Sequence, residues 1–265
     1  MPFQLGMPTL IELAGLQEDL ALCQRLGLVF IELNMNLPRC LPDALSAGEL
    51  RAARERTGIG FTLHLPEELD FASLHPAIRA GHIETAAAAL RWAGEAGIKL
   101  AVMHLCEGVH FTLPDRKEFI YAQDRRGFLD RLLVGFATVL DAAKDAGVTL
   151  CLENTADWTV PHLAAAMAAL LQGFPAIGLC WDVGHDESAG RVNRPFFERH
   201  RPRLAHMHLH DADGRSNHKP LVTGSVAVEK SLLLAAELEI GVVVEVKTSA
   251  ALEQSMRRLR VMGLA

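Results

Sequence analysis

The 265-residue sequence contains no C-x-x-C pair, and its five cysteines, Cys23, Cys40, Cys106, Cys151 and Cys180, are odd in number. That excludes a fully paired disulfide framework and a structural zinc ribbon, and leaves the thiols to be read as reduced, mostly core groups with no marked nucleophile. Also lacking is a basic N-terminal region ahead of an apolar run, because Glu12, Gln17, Glu18 and Asp19 break the first apolar stretch early. Neither a signal peptide nor a membrane span is readable, and a cytoplasmic location with no membrane partner is the expectation. There is no long run of like charge: the formal charge of -6 is the balance of 26 basic and 32 acidic residues. A nucleic-acid partner is therefore not expected, since such binders normally present a basic face. No Ser-, Gly- or Pro-rich linker divides the chain, and no G-x-G-x-x-G turn follows its first strand, so the dinucleotide-binding form of an open doubly wound sheet loses its main support.

What is present is an alternation. Short apolar runs ending in polar residues recur at Phe3 to Gly6, Leu28 to Asn34, Ile59 to Leu65, Ile98 to Leu105, Val148 to Glu153, Ala176 to Asp182, Leu204 to His210 and Gly241 to Val246. Between and after them lie helix-patterned segments: Gly15 to Leu26, Ala44 to Arg56, Pro76 to Ala96, Arg125 to Ala146, Pro161 to Gln172, Pro195 to Arg201, Val228 to Glu239 and Ala250 to Met262. Gly27, Gly97, Gly147 and Gly241 stand where helices give way to strands, as C-terminal caps do, and Pro161 and Pro195 stand near helix starts. Repeated βα units imply parallel strands, because each return needs a crossover. Half the residues are apolar, enough for a full-sized core. Eight units in a chain close to the roughly 250 residues typical of the fold predict a single (β/α)₈ TIM barrel spanning residues 1–265 as one domain.

In such barrels active sites form at the C-terminal strand ends. Six consecutive predicted strands end in potential metal ligands: His64 in TLHLP, His104 in VMHLCEG, Glu153 in LCLENT, Asp182 with His185 in LCWDVGHD, His208 in HMHLHD and Glu245 in VVVEVK. Each carboxylate interrupts an apolar run and would face the barrel axis at a heavy desolvation cost unless paired or bound to a cation. One such acid alone reads as a helix cap or the partner of an arginine; several converging with histidines point to a divalent ion. Carboxylates with imidazole suit Mn²⁺, Mg²⁺, Co²⁺ or Zn²⁺, and additional histidines tilt the choice toward Zn²⁺ or Mn²⁺. His206, His208 and His210 share one strand face by period two, so one or two of them can be ligands, and spacing alone leaves His208 and His210 open. His64 and His104 read equally as ligands or as satisfied structural histidines. His75, His82, His110, His162 and His200 read as solvated, while Trp158, Phe111 and Phe119 read as lid or packed loop aromatics.

The ordered set HLP, MHLCEG, LENT, WDVGH, HMHLHD, His218 with Gly224, and EVK resembles the xylose isomerase-like barrel superfamily, which includes sugar epimerases, inosose dehydratases and endonuclease IV. The resemblance covers essentially the whole chain and rests on the order of the motifs, none being specific alone. It implies one metal held by Glu153, Asp182, His208 and Glu245, with His185 beside it touching substrate. In the epimerases the two glutamates exchange the substrate proton while the metal stabilises an enediolate, so the expected function is a metal-dependent sugar or sugar phosphate isomerase or epimerase, with Glu153 and Glu245 catalytic. His64, His104, His185 and His218 are implied as substrate contacts or ligands to a second metal. Arg215, Lys247 and Trp158 are more loosely implied in substrate binding. The alternative is an endonuclease IV-like zinc phosphodiesterase, although Ser216 stands where that branch needs an Asp. A cyclic polyol (inosose-type) dehydratase or a non-catalytic metal-binding barrel are further alternatives. A small carbohydrate is the expected partner, and a homo-oligomer is left open.

Overall fold

A computed structural model describes residues 3–155, 158, 160–213, 216–222 and 224–265. The barrel strands are β1 (Gln4–Pro8), β2 (Phe30–Asn34), β3 (Gly60–His64), β4 (Leu100–His104), β7 (Thr149–Glu153), β8 (Gly178–Asp182), β9 (Leu204–Leu209) and β10 (Gly241–Val244). A two-stranded antiparallel hairpin, β5 (His110–Thr112) with β6 (Lys117–Phe119), follows β4. The barrel strands close in the order β1-β10-β9-β8-β7-β4-β3-β2, and neighbours run parallel. The predicted α/β barrel is therefore the observed fold, and each predicted strand corresponds to one of these eight. Among the described residues no helix is long and apolar enough to cross a membrane.

Around the barrel lie α1 (Leu16–Leu26), α2 (Ala47–Thr57), α3 (Pro76–Ala96), α4 (Ile120–Gln123), α5 (Arg125–Ala146), α6 (Pro161–Gly173), α7 (Val183–Ser188), α8 (Arg194–Arg199), α9 (Val228–Leu238) and α10 (Ser249–Val261). Their starts follow local chemistry. Ser46 and Glu49 form a capping box on α2, and Pro161 opens α6 with an imide that has no N–H to waste. Gly27, Gly97 and Gly147 cap α1, α3 and α5 in the left-handed conformation. Gly241 does not play that part. α9 ends instead on Glu239 at φ 56, and Gly241 is the first residue of β10. Its missing side chain leaves room for the Phe30 ring and His206, which a Cβ would meet at 3.3 and 3.4 Å.

The strand alternation separates two environments. Leu150, Leu152, Leu179, Trp181, Met207 and Leu209 belong to the main core together with helix residues such as Leu90, Phe136, Leu170 and Leu259. Burying each of the larger of these contributes about 1.5–3 kcal/mol. Val102, Cys151 and Cys180 form a separate small cluster. Residues two further along the same strands are His104, Glu153 and Asp182, so the side chains predicted to carry chemistry lie at the C-terminal end of the barrel, on the same strand faces as this floor. All five cysteines are free, and burial pushes the Cys151 thiol up to about 12 and the Cys106 thiol up to about 11.

Candidate metal centre

Parallel register sets the site. His104 lies beside Glu153 across β4 and β7, and Asp182 beside His208 across β8 and β9. Asn154 fastens the ends of β7 and β8, its amide donating to the Asp182 carbonyl at 2.9 Å and accepting from the Asp182 N–H at 2.8 Å. Asp182 also caps α7, accepting the His185 N–H at 2.6 Å, so one residue closes a strand, starts a helix and keeps a carboxylate at the mouth.

Glu153 lies at the centre. Its Oε1 is 3.0 Å from His208 Nδ1 and 3.8 Å from His185 Nδ1. Its Oε2 is 3.3 Å from His64 Nε2 and 3.2 Å from His104 Nε2. Glu245, one residue beyond β10, places Oε2 at 3.2 Å from His208 Nδ1, and Oε1 at 3.2 Å from His218 Nε2 and 2.8 Å from Lys247 Nζ. Asp182 lies 3.3 Å from His185 Nδ1 and 3.1 Å from His210 Nε2. His210 Nδ1 accepts the His218 backbone N–H at 2.8 Å, which leaves its proton on Nε2, facing Asp182.

The loop that carries His218 is tied down by Asp211, which accepts from the N–H groups of Gly224 at 2.6 Å and Val226 at 3.2 Å. His218 sits in the left-handed region at φ 53, a conformation that costs a non-glycine residue roughly 1–2 kcal/mol. Gly184 in α7 has no such strain; it is needed because a Cβ there would overlap the His210 ring.

Charge is partitioned within the cluster. Burial alone would raise Glu153 and Glu245, but His208 together with His104 at Glu153, and with His218 and Lys247 at Glu245, overrides it, and both carboxyls stay well below their usual range. Burial alone would lower His208, yet its thiol and carboxylate neighbours Cys180, Glu153, Glu32 and Glu245 hold it well above the ordinary value. His64 follows the same logic: the Glu153 hydrogen bond and charge override burial and bring it to about 9. His218 moves the other way, lowered by burial. Lys247 is raised because the Glu245 carboxylate overrides burial.

The donor set fits a divalent cation. His208 Nε2, 2.7 Å from Glu32 Oε1, is buried and out of line for a hydrogen bond; so, facing the cluster, are His208 Nδ1 and Glu245 Oε2, which sit 3.2 Å apart. With Glu153 and Asp182 they supply one nitrogen and three carboxylate oxygens lying within 4.8 Å of one another. Unpaired, converging polar atoms of this kind are costly unless a cation completes them. Two further groups of ligand type share a carboxylate with the first: His64, His104 and Glu153, and Asp182, His185, His210 and His218.

The structure thus brings together Glu153, Asp182, His208, Glu245, His64, His104, His185 and His218. Lys247 stands beside Glu245. Trp158 is 5% exposed and stacks on Phe197 with ring centroids 5.7 Å apart, inside an aromatic group that includes Phe196. Arg215 lies outside the described residues. His162, expected in solvent, is buried, with Nε2 2.9 Å from the Glu107 carbonyl and its ring against Phe119 and Phe128. Phe111 is 59% exposed on the hairpin. Sequence reasoning missed Glu32, although FIELN carries the same signal as the other strands, a carboxylate interrupting an apolar run. Its Oε1 lies 2.7 Å from His208 Nε2. It also missed Asn154 and the contact of His210 with Asp182.

The site is thus a carboxylate–imidazole cluster at the C-terminal mouth of a closed parallel barrel. A model of the xylose isomerase-like TIM barrel family matches residues 20–262, and the chain belongs to that family. No curated protein sequence matches the chain. Among solved structures, a D-tagatose 3-epimerase-like protein superposes with a TM-score of 0.75 at 17% identity, covering 99% of this chain and 100% of that one. The 3-keto-D-glucoside 4-epimerase of E. coli gives 0.74 at 15%, with 99% and 100% covered. The TTHB071 protein of Thermus thermophilus, in crystals soaked with zinc chloride, gives 0.69 at 27%, with 99% and 98% covered.

Proposed function

We propose that the protein is a metal-dependent isomerase or epimerase acting on a sugar or sugar phosphate, with Glu153, Asp182, His208 and Glu245 holding the ion. The observation that carries this reading is the pair Glu153 and Glu245, two ionised carboxylates from β7 and the end of β10 that both approach His208 Nδ1, at 3.0 and 3.2 Å. A divalent ion in this set, Mn²⁺ or Zn²⁺ by donor type, would polarise the carbonyl and neighbouring hydroxyl of an α-hydroxycarbonyl substrate. One glutamate, ionised, would remove the proton on the hydroxyl-bearing carbon. For epimerisation the other, having first taken up a proton from solvent or a substrate hydroxyl, would return it to the opposite face; for isomerisation the first would return its proton to the neighbouring carbon while a proton passes between the two oxygens. The imidazoles of His64, His104, His185 and His218, gathered around the same carboxylates, would donate to substrate hydroxyls. His208, with His218 and Lys247, keeps Glu245 ionised, as a base must be. That proteins sharing this fold are named as sugar epimerases supports the substrate class.

The test is solvent exchange. Incubated in D₂O with Mn²⁺ and a panel of ketoses and ketose phosphates, the protein should wash deuterium into one carbon beside the carbonyl. Glu245→Gln should fold and bind substrate but lose the exchange. Exchange at the wild-type rate in Glu245→Gln would contradict the assignment.

One observation favours a second reading, a zinc phosphodiesterase of endonuclease IV type. His64 and His104 both approach Glu153 Oε2, which would let that carboxylate bridge two ions. Two or three zinc ions per chain, together with cleavage of a phosphodiester, would support it over the isomerase.

A further inference from the structure

Below the proposed ligands lies a carboxylate that takes no part in them. Glu32 faces Thr62 across the β2–β3 register. Its Oε2 accepts from Thr62 Oγ1 at 3.1 Å and lies 3.1 Å from His206 Nε2. Its Oε1 lies 2.7 Å from His208 Nε2. Glu32 and His206 are each 2% exposed and His208 is fully enclosed. Barrel interiors at this depth are usually filled by Val, Ile or Leu, and a buried charge pair is often no more stabilising than such a filling. An ion pair between Glu32 and His206 would need one carboxylate oxygen; here the other faces the rear nitrogen of a proposed ligand.

The chemistry of that ligand explains the arrangement. An imidazole that offers Nδ1 to a cation must carry its proton on Nε2, and a carboxylate 2.7 Å behind that nitrogen, close though out of line for a hydrogen bond, favours that tautomer by its charge and makes Nδ1 a better donor. We infer that Glu32, braced by Thr62 and His206, is the positioning residue of the metal centre, acting on the ion through His208. This rests on the reading that His208 is a ligand.

The experiment measures the dissociation constant of Mn²⁺ or Zn²⁺ by chelator competition, without any substrate. Wild-type protein should bind, and Glu32→Gln, which keeps the shape and loses the charge, should bind about 10–100-fold more weakly. In the zinc-loaded wild type, nitrogen NMR should show His208 protonated on Nε2, with that proton exchanging slowly; in Glu32→Gln it should exchange faster. A merely structural pair would not move this signal. Should Glu32→Gln fail to fold, Thr62→Val, which withdraws one brace from the carboxylate, takes its place and should weaken binding at least threefold. Affinity within twofold of wild type in the folded variant would overturn the role of Glu32 while leaving the metal centre standing. A wild-type protein that binds no divalent ion would overturn both.

Discussion

The two arcs of the barrel rim carry different chemistry. The arc from β7 to β10 supplies Glu153, Asp182, His208 and Glu245, with His208 Nδ1 and Glu245 Oε2 buried and lacking hydrogen bonds, and the further imidazoles His185, His210 and His218. The arc from β2 to β4 supplies imidazoles that lean on that group, His64 and His104 against Glu153, and one deep carboxylate, Glu32, behind His208. The contrast separates residues proposed to hold and work the ion from residues that orient them.

The largest effects should come from breaking the first arc. Replacing Glu153 or Glu245 by Gln should lower turnover about 10²–10⁴-fold, the scale of losing a positioned acid–base group, with the circular dichroism of the native fold retained. On the second arc, His64→Ala and His104→Ala should each lower kcat/KM by about 10–100-fold, the loss of a hydrogen bond to a charged group, while the ion bound by the first arc stays in place. Steady-state kinetics with metal analysis of the same samples checks both, and loss of an ion from His64→Ala would move the balance toward the two-metal reading.

A smaller effect probes how the first arc is built. Gly184→Ala would drive a methyl group into the His210 ring and should destabilise the protein by about 1–3 kcal/mol in thermal or denaturant unfolding. A neutral outcome would mean that α7 shifts freely and does not fix Asp182.

The smallest effect is a pH trend in the metal-free protein. His64 rises from 6.5 to about 9 through Glu153. A histidine raised on folding contributes stability that is fully present below its unfolded value and lost as pH climbs through the folded one. In chelator the melting temperature should therefore fall between about pH 6.5 and 9. A rise over that window would show that His64 is not charged by Glu153.

Much of this was legible in the sequence because strand period and parallel topology translate directly into position. A polar residue ending an apolar run must lie at the C-terminal rim, so His64, His104, Glu153, Asp182 and Glu245 could be placed from the strand pattern, whereas His208 was separated from His210 only by the family resemblance. The hairpin β5–β6 was not legible, since its three-residue strands bury little and lack a periodic signal. Glu32 escaped for another reason: it sits two residues before the end of β2, below the rim where strand-end reasoning looks. Gly241 misled because a glycine before a strand is the usual mark of a helix cap, whereas here Glu239 accepts the left-handed conformation and the glycine serves Phe30. His162 misled because helix position says nothing of burial when the hairpin folds back over the helix.

The most direct measurement is the metal content of protein purified without chelator after expression with manganese and zinc, compared with Asp182→Ala. The expected result is one divalent ion per chain in the wild type and none in the variant. A wild type that carries no ion, or an Asp182→Ala protein that retains a full equivalent, would contradict the metal centre at the core of this account.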